Sequence, residues 1–217
     1  MTEKFIVLDT ETTNTIDDPF FYDIGWAVVD ASGAVYATYS YVNADVFLDE
    51  ELMSSAYFAE KIPTYWEQIK SGERTLARFT TIRKALRNCA KEWGVIKFFA
   101  HNMSFDYRST NYTVRYLTSS RQRYFFPYGA EICDTLKMAR QVLKNDEAYD
   151  NFCYNNNYIT KRGCKRYTAE IIYRFITQNN DFIESHTGLE DVLIEKEILA
   201  FCLQKNPNVK CDLWGDC

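Results

Sequence analysis

No run of apolar residues in this sequence is long enough to cross a bilayer. The N-terminus, with Glu3 and Lys4 ahead of a short apolar block, also lacks the pattern of a secretory leader, so the expected location is the cytoplasm and no membrane partner is expected. Among the seven cysteines there is no Cys-x-x-Cys pair. Their odd number and irregular spacing suit free thiols in a reducing compartment, and leave Cys153, Cys164, Cys211 and Cys217 without the close pairing of zinc sites. A basic surplus is missing as well: 25 Lys and Arg against 30 Asp and Glu give a net charge of −5. That excludes a protein that coats duplex DNA through bulk charge, but not one that grips nucleic acid locally through metals. There is no internal repeat and no flexible linker. What remains is 217 residues, 47% of them hydrophobic, enough to bury one sizeable core. The expected organisation is one domain over residues 1–205, with residues 206–217 as a tail packed on it.

One stretch organises the rest. Phe5, Ile6, Val7 and Leu8 run without alternation into Asp9 and Glu11, which suits a strand buried on both faces that places the two carboxylates on one side. Such a pair needs a shared proton, a basic partner or a cation. No Lys or Arg lies nearby in sequence, whereas further carboxylates, the oxygen ligands a hard divalent cation prefers, lie farther along the chain.

The spacing predicts strands over residues 22–30 and 34–42, turned by Ala31, Ser32 and Gly33, so that the first three strands form a meander. Helical segments are expected over 50–61, 63–70 and 75–93, followed by a strand at 96–100 and a helix running to Leu117. The stretch 119–128 mixes Arg121 and Arg123 with Tyr124, Phe125, Phe126 and Tyr128; it reads as a loop that plugs the core edge or stacks bases. A strand at 130–133 then leads into a helix over 134–143. Residues 151–158 and 164–167 flank Thr160, Lys161, Arg162 and Gly163 as a hairpin with a basic tip. Thr168 is placed to cap a helix with Glu170 in its first turn, and Gly188 precedes a last helix reaching about Leu203. His186 then falls on the entering loop and Asp191 in the first helical turns, where both can face one point.

Four motifs stand in order: Asp-Thr-Glu-Thr at 9–12, His-Asn-Met-Ser-Phe-Asp at 101–106, Asp-Thr-Leu-Lys-Met-Ala-Arg at 134–140 and His-x-x-x-x-Asp at 186–191. In order and local sequence they resemble the DnaQ-like 3′–5′ exonucleases of the DEDDh type, over residues 5 to about 203. The resemblance implies an α/β, ribonuclease H-like fold with a mixed five-stranded sheet and helices on both faces. It implies that Asp9, Glu11, Asp106 and Asp191 bind two divalent cations, Mg²⁺ or Mn²⁺, for two-metal phosphoryl chemistry. His186 is the general base in this reading, because an unperturbed imidazole titrates near neutrality. Thr10, Thr12, Thr13, Asn102 and Phe105 are the candidates for contacting substrate. The implied substrate is a single strand of DNA or RNA with a free 3′ end, cut to nucleoside 5′-monophosphates, with a polymerase or a second copy of the chain as further possible partners.

Two positions depart from the family pattern: Asn14 stands where a glycine is common, and Val192 where a small residue follows the last Asp. The basic segment near Lys161 and the helices between Asp49 and Lys70 also differ from compact members. Two alternatives are weighed. A catalytically silent nucleic-acid-binding or polymerase-docking module would be marked by a missing carboxylate, and none is missing. A ribonuclease H-type endonuclease or integrase-like enzyme would lack the His-x-x-x-x-Asp motif.

Overall fold

The structure, a computed structural model, describes residues 2–13 and 18–215; Asn14 and Cys217 lie outside them. Among these residues the sheet has six strands: β1 (Lys4–Thr13), β2 (Phe20–Asp30), β3 (Val35–Asn43), β4 (Thr75–Ala77), β5 (Lys97–Ala100) and β6 (Glu131–Asp134), in the spatial order β4-β3-β2-β1-β5-β6. β1 pairs antiparallel with β2 and parallel with β5, and β2 antiparallel with β3. The apolar run at the start of β1 follows from this central position. Phe5 and Val7 enter one core and Ile6 and Leu8 the other.

Helices cover both faces. α1 (Ala44–Phe47), α2 (Glu50–Met53) and α3 (Ile62–Ser71) form a small cluster beside β2 and β3. α4 (Phe79–Trp93) and α5 (Met103–Leu117) pack on the Ile6 and Leu8 side. α6 (Thr135–Leu143), α7 (Glu147–Asn155), α8 (Ala169–Thr177) and α9 (Gly188–Lys205) cover the Val7 side. The meander turn is built by Asp30, whose Oδ1 accepts from Ser32 N and Oγ while Gly33 takes a φ of 80°. The tail returns to the sheet: Leu213 N donates to Ile132 O, and Asp134 N to Cys211 O.

Three expectations are corrected. The sheet has six strands rather than five, because residues 75–77, expected to open a helix, form β4 parallel to β3. Three residues are too few to show a period, and the extended backbone of Arg78 starts the helix only at Phe79. The segment 50–61 is not one helix; Asp49 caps the short α2, and a single 3-10 turn over Ala59–Lys61 leads into α3. Residues 151–155 belong to α7, since Asp146 accepts from Tyr149 N as its N-cap and Tyr149 and Cys153 share its buried face. Of the expected hairpin only the Ile159–Lys165 bridge remains. In the 119–128 loop Phe125 and Phe126 plug the core, while Tyr124 and Tyr128 stay exposed.

A candidate metal centre in an acidic cleft

At the end of β1 the strand period places Asp9 and Glu11 on the side where α9 begins. α9 can come that close because its first residue meets β2 backbone to backbone. A Cβ on Gly25 would lie 2.3 Å from Leu189 N, and one on Gly188 2.7 Å from Gly25 N. Gly188 N donates to Asp23 Oδ2 at 2.9 Å. Asp23 is in turn held by Arg74 Nη1, 3.0 Å from each carboxylate oxygen, and by the Tyr65 hydroxyl. Arg74 also bonds Glu190, so a buried cation ties β2 to the first turn of α9.

This anchoring brings Asp191 to the strand end. One oxygen each from Asp9, Glu11 and Asp191 lie within 4.8 Å of one another, a grouping able to hold a metal ion. Asp191 is oriented by Ser185 Oγ and Thr187 N, each donating at 3.0 Å. Asp106, near the start of α5 and 2% exposed, lines the same cleft, and its Oδ1 accepts from Thr10 N and Thr10 Oγ1 at 3.1 and 2.8 Å. The cleft has a volume of about 960 Å³.

Burial is the main cause of a common electrostatic state. It raises Asp9 well above the ordinary carboxylate range, with Asp106 and other acids adding repulsion. Glu11 is pushed up to about 9, by burial and then by Asp23 and Asp191. Asp106 rises to about 7 and Asp191 to about 6, both by burial and held back by their hydrogen bonds. Lys61 tempers Glu11 and Asp191 from the rim. Its ammonium, however, is spent on the carbonyls of Ser185 and His186.

His186 lines the cleft with its side chain 43% exposed and its backbone left-handed at a φ of 51°. Its ring stacks on Phe58 at 4.6 Å, and burial and then Lys61 lower its pKa. The other histidine, His101, has both ring nitrogens engaged, with Thr135 Oγ1 and Tyr167 O. Thr12, Asn102 and Phe105 line the cleft. Thr10 does too, but its hydroxyl is committed to Asp106. Thr13 is fully buried, with its hydroxyl on Phe20 O. Val192 lies in the core.

Sequence reasoning missed Lys61, Phe58 and the Asp23–Arg74 pair, whose partners are distant in the chain. It also missed Glu195, 3% exposed, a cleft-lining carboxylate one helical turn beyond Asp191. The i to i+4 spacing from Asp191 was the available signal.

No protein-family profile and no curated protein sequence matches the chain. Solved structures do. The nuclease domain of 3′hExo, described as a DEDDh family member and bound to rAMP, superposes with a TM-score of 0.64 at 10% identity, covering 97% of this chain and 96% of that one. The chain has the fold of the DEDDh exonucleases. Exonuclease X, solved with 5′-overhanging duplex DNA, matches at a TM-score of 0.55 and 16% identity over 94% and 93% of the two chains. E. coli Exonuclease I with a dA16 oligonucleotide matches at 0.57 and 15%, this chain spanning 42% of its length. Within this DEDDh fold, the expected mixed sheet with helices on both faces is present, widened by β4.

Proposed function

We propose that this protein is a metal-dependent 3′–5′ exonuclease that releases nucleoside 5′-monophosphates from the free 3′ end of single-stranded DNA or RNA. The observation that carries this is the convergence of Asp9, Glu11 and Asp191 oxygens within 4.8 Å, with Asp106 and His186 on the same cleft. The donor set fits a hard divalent cation: it is all carboxylate oxygen, and no Lys or Arg side chain among the described residues is bonded to Asp9, Glu11, Asp106 or Asp191. Asp9, Glu11, Asp106 and Asp191 would hold two such ions, Mg²⁺ or Mn²⁺. Bound there, they supply Lewis-acid relief of the phosphate's charge and ease deprotonation of the attacking water.

The chain's own residues do the rest. His186 Nδ1 lies 4.0 Å from Glu184 Oε2, which leaves Nε2 to take the proton of the attacking water while Phe58 fixes the ring plane. Asn102 and Phe105 flank the terminal nucleotide, and Thr12 stands at the strand end beside it. Thr10 acts by orienting Asp106. Arg140 and Arg166 line the cleft as well, without a carboxylate partner among the described residues, and are placed to meet the strand's phosphates.

The assignment is tested by a time course on matched labelled DNA and RNA strands, free or blocked at the 3′ end, with Mg²⁺. Mononucleotides from free ends only are expected; internal cuts in the blocked strand would overturn it in favour of an endonuclease. His186→Ala is expected to lower kcat by about 10²- to 10⁴-fold with little change in KM. Because the His186 pKa lies below the usual imidazole value, wild-type kcat should hold at pH 7 and fall only as the pH drops through that lowered pKa. Near-normal turnover of His186→Ala at neutral pH removes it from the role. The pair Arg140→Gln and Arg166→Gln is expected to weaken strand binding and flatten the salt dependence of log K by about 0.7 for each phosphate no longer neutralised. Fluorescence anisotropy of a labelled oligonucleotide across a salt series reads this.

A further inference from the structure

We propose that Glu195 is a fifth carboxylate ligand of the metal centre, completing the cation position on the Asp106 side of Asp9. The inference rests on the nuclease reading of the cleft, but concerns a residue outside the acidic motifs.

Glu195 sits on α9 one turn beyond Asp191, on the helix face that α9 turns toward β1. The residue is 3% exposed, yet it lines the cleft, and no donor among the described residues reaches its Oε2. The backbone amide of His101 serves the same carboxylate, and no Lys or Arg among the described residues pairs with it. Leaving an anionic oxygen buried without a donor costs several kcal/mol by the order of magnitude for such groups. Elsewhere in this protein a buried carboxylate is answered: Asp23 by Arg74, Tyr65 and Gly188 N. Around Glu195 the charged neighbours are Asp106, Glu184, Asp191 and Asp9, all acids. A cation shared with them relieves the repulsion of several of these oxygens at once, where a proton relieves one.

The placement also fits the asymmetry of the acidic set. Asp9, Glu11 and Asp191 form one close group, while Asp106 stands outside it. Asp106 and Asp9 line the same cleft as Glu195, and the charge of each opposes that of Glu195. We place the second position on Asp9, Asp106 and Glu195, with Asp9 shared; unlike the first group, these three do not form a grouping within 4.8 Å among the described residues, and the ion is what draws them together. A higher ligand charge raises affinity for a hard divalent ion, so the second ion is held more firmly than two carboxylates would hold it.

The test is Mn²⁺ titration of the full-length protein without nucleic acid, read by electron paramagnetic resonance of the free ion and by calorimetry. Wild type is expected to bind two ions, Glu195→Gln to bind the second at least about 10-fold more weakly, and Asp9→Asn to lose both. Two ions bound by Glu195→Gln as tightly as by wild type would overturn the inference and leave the nuclease reading standing. No Mn²⁺ bound by wild type would bring down that reading and this one with it. Should Glu195→Gln fail to fold by circular dichroism, anomalous maps of Mn²⁺-soaked wild-type crystals decide. A peak about 2.0–2.5 Å from Oε2 supports the proposal, and peaks all beyond reach of Oε2 overturn it.

Discussion

Asp9→Asn is expected to reduce nucleolysis by about 10³-fold or more and, in the same protein, to raise the melting temperature measured in EDTA by about 3 °C. The two outcomes have one origin. Asp9 is half-buried among Asp106, Glu195, Glu11 and Asp191, and all of them push its pKa upward. Without a cation the folded chain bears that repulsion, and a neutral amide of the same shape relieves it. With a cation bound as proposed, the same oxygen would be the shared ligand, and its loss would cost several kcal/mol of transition-state stabilisation. The pH dependence follows with a definite sign. Each of these carboxyls has a folded-state pKa above its unfolded value, so the stability they contribute is complete below roughly pH 4. It is lost as the pH rises through about 6 for Asp191, about 7 for Asp106 and about 9 for Glu11. Metal-free wild type should therefore melt lower at pH 8 than at pH 5, and Mn²⁺ should abolish that difference. Scanning calorimetry at the two pH values, with EDTA or Mn²⁺, reads all of this; an Asp9→Asn protein that melts lower than wild type in EDTA would contradict the repulsive site.

Gly25→Ala is expected to destabilise the fold by at least about 3 kcal/mol, although the change adds one methyl group inside a regular strand. The new Cβ would lie 2.3 Å from Leu189 N and 2.5 Å from Gly188 C, both backbone atoms with no rotamer to yield. The start of α9 must move, and the Gly188 bond to Asp23 goes with it. Asp191 is three residues along the same helix, so Mn²⁺ affinity should fall in parallel with stability. Urea denaturation and Mn²⁺ titration measure the two effects; a variant within about 0.5 kcal/mol of wild type would show that the close approach of β2 and α9 is not needed.

Much of this arrangement can be read from the chain itself. The unbroken apolar run before Asp9 marks a strand covered on both sides, and Ala31, Ser32 and Gly33 mark a tight turn. Asp9, Glu11, Asp106 and Asp191 are recognisable because each sits at or near a junction between elements. What escaped is of two kinds. β4 has three residues and α7 opens on an aspartate within a polar aromatic stretch, so local periodicity is too weak to decide either. Glu195, Lys61 and Phe58 instead depend on what stands opposite them in space. An acid on a helix face does not show, from its neighbours in sequence, that one of its oxygens is buried without a donor.

The return of the tail to the sheet has a consequence for how the molecule behaves in company. A terminal strand presents a row of unpaired amides and carbonyls on which another polypeptide can nucleate. Here Leu213 and Cys211 occupy such groups beside β6, whereas at the opposite margin β4 covers only Tyr41, Val42 and Asn43 of β3. At the β6 rim, self-association through strand addition is suppressed by the architecture itself.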